Sequence, residues 1–198
     1  MAVTSLMVPI GTPAPDFDLP SLTGERVSLR DFDKAPALLV AFLCEHCPYV
    51  RHIENPFSTL LREFPALATV GICSNDPEAY PADGPEGLAA QAKRAGWEFP
   101  YLIDTSQDVA KAYRAACTPD FFLYSADRRL AYRGALDEST PGNGKPLTGE
   151  LLRDAIERVL GGQPVPEPHK PSTGCSIKFR PGNEPTFERM RPLPLTTL

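Results

Sequence analysis

Apolar and polar positions alternate along this chain in two rhythms. Residues 37–43 are an almost unbroken apolar run of strand length, Leu38-Leu39-Val40-Ala41-Phe42-Leu43 at its heart, the pattern of a strand buried on both faces. From Val50 to Phe64 the rhythm changes. Val50, Ile53, Phe57, Leu60, Leu61 and Phe64 recur at three- and four-residue steps, which predicts a helix with one buried face. Ala68-Thr69-Val70-Gly71-Ile72-Cys73-Ser74 is a second buried run, ending at the turn-rich Asn75-Asp76-Pro77. Strand, helix, strand implies a parallel pair joined by a crossover helix.

Upstream, Phe17-Asp18-Leu19-Pro20 and Arg26-Val27-Ser28-Leu29 flank Leu22-Thr23-Gly24-Glu25, a hairpin in which Gly24 supplies the left-handed turn residue. Downstream, Glu86–Ala95 reads as a helix and Phe99–Asp104 as a short extended segment. Asp108–Ala115 is a short helix. Phe121–Tyr124 and Leu130–Arg133 are strands about the turn Ser125-Ala126-Asp127-Arg128. Thr148 is placed to cap a last helix that runs to Leu160 and stops at Gly161-Gly162. Residues 162–198 hold eight prolines and little periodicity, an extension that could drape over the domain, reach a partner or be mobile. The division expected is an arm over 1–13, one α/β domain over 14–161, and a Pro-rich extension over 162–198.

Composition narrows the function. At 198 residues and 42% hydrophobic content the chain supports one substantial core. A net charge of −5 gives no electrostatic reason to expect nucleic acid or an acidic membrane as partner. No apolar run approaches bilayer-spanning length. The start, MAVTSLMVPIGTPAPDF, lacks a basic region and is broken by Pro9 and Pro13, which argues against a secretory signal. Five cysteines without dense spacing argue against a disulfide framework. A cytoplasmic protein with functional thiols is the expectation.

Two of those thiols, Cys44 and Cys47, fall where the buried strand hands over to the helix, and Pro48 follows at once. A thiol there lies in the positive end of the helix dipole, facing unpaired N–H groups. Both effects favour the thiolate, the reactive form. The junction is therefore a redox-active candidate on physical grounds alone.

The order of elements, with Cys44-Glu45-His46-Cys47-Pro48-Tyr49-Val50 at the first strand's end and Cys117-Thr118-Pro119-Asp120-Phe121-Phe122-Leu123 leading into the hairpin, resembles the peroxiredoxin-like branch of the thioredoxin superfamily. Pro15-Asp16-Phe17-Asp18-Leu19, Ser74-Asn75-Asp76-Pro77 and Gly174-Cys175-Ser176-Ile177-Lys178 add to the likeness, which covers about residues 14–160. It is related to the AhpC/TSA and TlpA-type proteins. The resemblance implies a thioredoxin-like three-layer α/β/α fold with a central mixed sheet, an N-terminal hairpin extension and a Pro-rich C-terminal tail. It also implies that Pro119 is a cis-proline facing the active cysteine, with Thr118 beside it offering backbone groups to a disulfide substrate.

Two registers compete for the nucleophile. As an ordinary Cys-x-x-Cys, Cys44 attacks and Cys47 resolves. Thioredoxins place the attacking cysteine five residues after a phenylalanine of this strand; counting from Phe42, that is Cys47, with Val50 where the resolving cysteine would stand. The count and the position before Pro48 favour Cys47. Cys44 is then a second thiol within disulfide reach or a small core residue. Cys175, after a Pro-rich lead-in, could resolve from a distance. The resemblance also brings Cys117 close to Cys47, as a further possible resolving thiol or as packing beneath the site, and Cys73 closes a buried strand. Peroxiredoxins carry Pro-x-x-x-Thr/Ser-x-x-Cys; here Val40 and Cys44 hold those places before Cys47, so peroxidase chemistry is weakened while thiol–disulfide exchange is not.

Three other readings stand beside exchange. A copper or other metal carrier would draw on Cys44, His46, Cys47 and His52, with His169 as the distant histidine, although no paired ligand spacing marks a structural zinc site. A weak thiol peroxidase and a redox-inert interaction module are the others. Glu45, Arg51 and His46 are read as solvent-facing by default, and Trp97 as packing. No cofactor and no resident metal are expected, and the implied partners are protein or small-molecule thiols and disulfides, with electron donor and oligomeric state left open.

Overall fold

The computed structural model describes residues 1–186. In chain order its strands and α-helices are β1 (Ala2–Thr4), β2 (Asp18–Pro20), β3 (Arg26–Ser28), β4 (Ala37–Phe42), α1 (Pro48–Arg62), β5 (Ala68–Cys73), α2 (Pro85–Ala95), β6 (Tyr101–Ile103), α3 (Asp108–Tyr113), β7 (Cys117–Thr118), β8 (Asp120–Ser125), β9 (Leu130–Gly134), α4 (Glu150–Leu160) and β10 (Thr173–Ser176).

A strand with six consecutive apolar residues has no side to give to water, and β4 accordingly lies in the middle of a five-stranded sheet of order β6-β5-β4-β8-β9. β4 runs parallel to β5 and antiparallel to β8, so the sheet is mixed. Successive side chains of a strand face opposite ways. Leu39, Ala41 and Leu43 pack with Ile53 and Phe57 of α1, Leu88 of α2 and Leu152 and Ile156 of α4. Leu38, Val40 and Phe42 pack with Val109 and Tyr113 of α3 and with Phe17 and Leu19 near the hairpin β2–β3. Helices thus cover both faces, the three-layer arrangement that the resemblance implies.

α1 begins two residues earlier than its apolar periodicity suggests. Cys47 is its N-cap and Pro48 its first residue, because proline lacks the N–H that a first turn leaves unpaired and has φ already set for the helix. At α4 the expected cap moves by one. Gly149 takes the position at φ 67°, and the N–H groups of Thr148 and Gly149 both donate to Asp137 Oδ2 at 2.8 Å.

The described part of the extension drapes over the domain. β10 lies between β1 and β7 in a second, three-stranded antiparallel sheet, and Ile177 enters the core beside Phe42 and Tyr113. Residues 187–198 of the Pro-rich extension lie outside the described residues. No helix among the described residues is long and apolar enough to cross a membrane.

Candidate active site

The parallel pairing of β4 with β5 delivers residues 43–47 to one end of the sheet, where α1 starts. The antiparallel pairing of β8 with β4, Asp120 opposite Phe42, brings the cis Thr118–Pro119 bend to the same end. Cys47 Sγ lies 3.3 Å from Thr118 O and Cys44 Sγ 3.2 Å from Thr118 Oγ1. Four residues that the sequence singles out, Cys44, Cys47, Thr118 and Pro119, therefore meet. Cys175 joins them, because β10 sets it directly opposite Thr118. Cys117 is buried beside that bend, its thiol directed at Pro119 O at 3.6 Å. All five cysteines are free thiols.

The thiols differ in acidity. Cys47 is lowered to about 4, foremost by hydrogen bonding from the Cys44 thiol, against the opposing effect of burial, with further donation from the thiol and backbone of Cys175 and from the Val50 N–H. The Thr118 carbonyl favours the protonated form. Cys44 is pushed far up, by its hydrogen bond to Cys47 and then by burial and the charge of Asp83. Burial raises Cys73 and Cys117. Cys175 is raised to about 11, by burial and then by its contact with Cys47. One thiolate held by neighbouring protonated thiols is the charge pattern that exchange chemistry uses.

The turn that carries the cysteines is held by a residue that no sequence motif singles out. Asp83 ends a short 3-10 helix over Pro81–Asp83 and is buried. Its Oδ1 accepts the N–H groups of Glu45 at 2.8 Å and His46 at 3.1 Å; its Oδ2 meets His46 Nδ1 at 2.5 Å and Asn75 Nδ2 at 2.8 Å. His46 also stacks on Tyr80 at 4.9 Å, so it is anchored where a solvent-facing turn residue was expected. Glu45 is likewise buried, gripped by Arg51 Nη2 at 2.7 and 2.8 Å. Arg51 Nε also donates to Glu45 O at 2.9 Å. Gln91 Nε2 donates to Cys44 O at 2.8 Å, and Gln91 Oε1 accepts from Tyr101 OH at 2.9 Å. Nothing local marks Asp83 or Gln91; the clue was only that loops beyond parallel strand ends gather at functional sites.

The metal-ligand set foreseen in the sequence is not assembled as such. His52 Nε2 meets Ser139 Oγ at 2.8 Å, and His169 stands by Arg133 at 2.9 Å. Cys44, His46 and Asp83 do bring ligand atoms within 4.8 Å of one another, with the Asp83 oxygens engaged by the donors above.

Known proteins resemble this chain in matching ways. Residues 10–133 match the model of the AhpC/TSA family. An uncharacterized conserved protein from Geobacillus kaustophilus is 46% identical, over 92% of this chain and 98% of that one, with a TM-score of 0.89. A hypothetical protein from Sinorhizobium meliloti 1021 is also 46% identical, over 90% and 99%, at 0.88. A putative thiol:disulfide interchange protein DsbE from Chlorobium tepidum shares the fold at 21% identity, over 78% and 99%, with a TM-score of 0.61. No curated protein matches the chain in sequence.

Proposed function

The chain belongs to the AhpC/TSA family, and from that premise we propose that it is a thiol–disulfide oxidoreductase whose attacking group is Cys47. The observation that carries this reading is the convergence on one sulfur of the α1 N-cap position and several hydrogen-bond donors, which lower it to about 4. Ionised at neutral pH, Cys47 attacks one sulfur of a partner disulfide. The partner's S–S bond breaks, one partner thiolate leaves, and a mixed disulfide forms on Cys47. Cys44 is the resolving thiol in this scheme. After losing its proton it attacks Cys47 Sγ, giving a Cys44–Cys47 disulfide and the second partner thiol. Two electrons pass from the cysteine pair to the partner. Run backwards, the same steps oxidise a dithiol. Asp83 positions the turn, and Thr118 lines the approach.

The test is a dithiol-coupled disulfide reduction assay, with insulin as the reporter substrate, on wild type and Cys47→Ser. Activity lost in the variant supports the assignment; equal rates remove it. A metal carrier is the second reading, supported by the proximity of Cys44, His46 and Asp83. Copper and zinc titrations with thiol counting test it, and absence of tight binding ends it.

A further inference from the structure

Cys47 has 0% of its surface exposed, although exchange requires a foreign sulfur to approach it along the line of the bond being made. β10 is packed against it, the thiol and the backbone N–H of Cys175 both donating to the Cys47 sulfur. β10 pairs antiparallel with β7, Cys175 opposite Thr118 and Ser176 opposite Cys117, and Thr118 O is the atom 3.3 Å from Cys47 Sγ. The fit is tight enough to dictate a residue. A Cβ on Gly174 would lie 1.9 Å from Thr118 O and 3.2 Å from Pro119 N, so only glycine lets the strand run so close to the bend. A strand edge beside a reactive thiol is a natural place for an extended chain to add, and here the chain's own segment has taken it.

The segment is held from three sides. β1 pairs along its outer edge, Ala2 opposite Cys175. Ser5 and Ser172 exchange two hydrogen bonds, Ser5 N to Ser172 O and Ser172 N to Ser5 Oγ, both 3.0 Å. Beyond the strand, Ile177 N donates to Ala116 O at 3.1 Å and Lys178 N to Asn75 Oδ1 at 2.8 Å. Asn75 in turn holds Asp83, the residue that fixes the cysteine turn. The strap and the turn are therefore tied through one asparagine. Its contact with β7 is nonetheless only two residues long, the kind of short pairing that opens locally without global unfolding.

We propose that β10 is an autoinhibitory strap, and that Cys47 reacts with outside disulfides only from the population in which residues 173–176 have lifted off β7. The proposal rests on Cys47 being the attacking thiol. It follows that the observed rate is the rate of the open form multiplied by its fraction, and that loosening the strap accelerates exchange.

Two measurements on the full chain test this. In the first, Cys47 alkylation by iodoacetamide and its exchange with a small aromatic disulfide are timed in wild type and Gly174→Ala. The added methyl must push β10 from Thr118, and both rates are expected to rise by about tenfold or more. The second needs no variant. Hydrogen exchange of the Ile177 amide, which donates to Ala116 O beside β7, gives an opening constant in wild type, and the slowing of Cys47 alkylation relative to a free thiolate is expected to equal it. The inference is overturned if Cys47 alkylates at the free-thiolate rate while that amide stays protected, or if a folded Gly174→Ala protein with a deprotected Ile177 amide reacts no faster. Exchange that survives Cys47→Ser overturns the oxidoreductase reading together with the strap; exchange that depends on Cys47 but ignores Gly174→Ala overturns the strap alone.

Discussion

Cys47 and Cys44 lie three residues apart, and their acidities are driven in opposite directions by the same contact. The Cys44 thiol donates to the Cys47 sulfur, which stabilises charge on the acceptor and opposes it on the donor. Cys44→Ala removes that donor, so the pKa of Cys47 rises. The consequence is legible in acid: the alkylation rate of the variant, measured from pH 4 to 8, should climb later than that of wild type. The same variant lacks the resolving thiol, and a mixed disulfide with the small partner should accumulate on Cys47, visible by mass spectrometry of the intact protein. Failure to accumulate it would assign resolution to another thiol, Cys175 being the one opposite Thr118. The residue-level reading of the sequence located this pair from strand, cysteine and proline order alone. It could not rank their acidities, because the donors to Cys47 include Cys175, more than a hundred residues away in the chain.

At the scale of elements, the cysteine turn is a hinge between β4 and α1 that owes its shape to the loop before α2. Asp83 accepts from two backbone N–H groups of the turn and also binds His46 and Asn75. Removing a buried carboxylate with these partners leaves donors unpaired and costs about 3 kcal/mol. Asp83→Ala is therefore expected to lose roughly that much in urea denaturation and to slow exchange, whereas Asp83→Asn keeps an oxygen for the Glu45 and His46 N–H groups and should lose less. Regular elements were legible because their apolar spacing is local: the buried strands β4 and β5 appear where periodicity puts them, and so does the one-sided helix α1 apart from its ends. β10 was not. Its residues Thr173-Gly174-Cys175-Ser176 carry no alternation, and the strand exists because β1 and β7 offer edges on either side. Tertiary pairing of this kind leaves little mark on local sequence. Glu45 was misjudged for a related reason, since its burial depends on Arg51 and Arg94, the latter 49 positions away.

For the molecule as a whole, two groups make stability depend on pH in opposing senses. Cys47 falls from 9.0 to about 4 on folding, so the unfolded chain binds more protons between those values and stability rises with pH there, being lost as pH falls through the folded value. Asp120, fully buried beside the Pro119 bend, is raised from 3.8 to about 8 by burial, with Ala116 N donating to its Oδ2 at 3.2 Å. Here the native state holds the extra proton, and stability falls as pH rises from about 4 to about 8. Asp120→Asn removes the second trend, so thermal melting of the variant relative to wild type should improve steadily from pH 5 to pH 8; an unchanged difference would contradict the buried, protonated carboxyl. Exchange at this site depends on charge at one sulfur, and titrating the thiolate absorbance of the intact protein tests for it most directly, with Cys47→Ser as the reference. We expect the wild type to carry one additional thiolate at neutral pH, vanishing on acidification with a midpoint of about 4. A difference that is absent at neutral pH and emerges only in the ordinary thiol range, about 8.5, would contradict it.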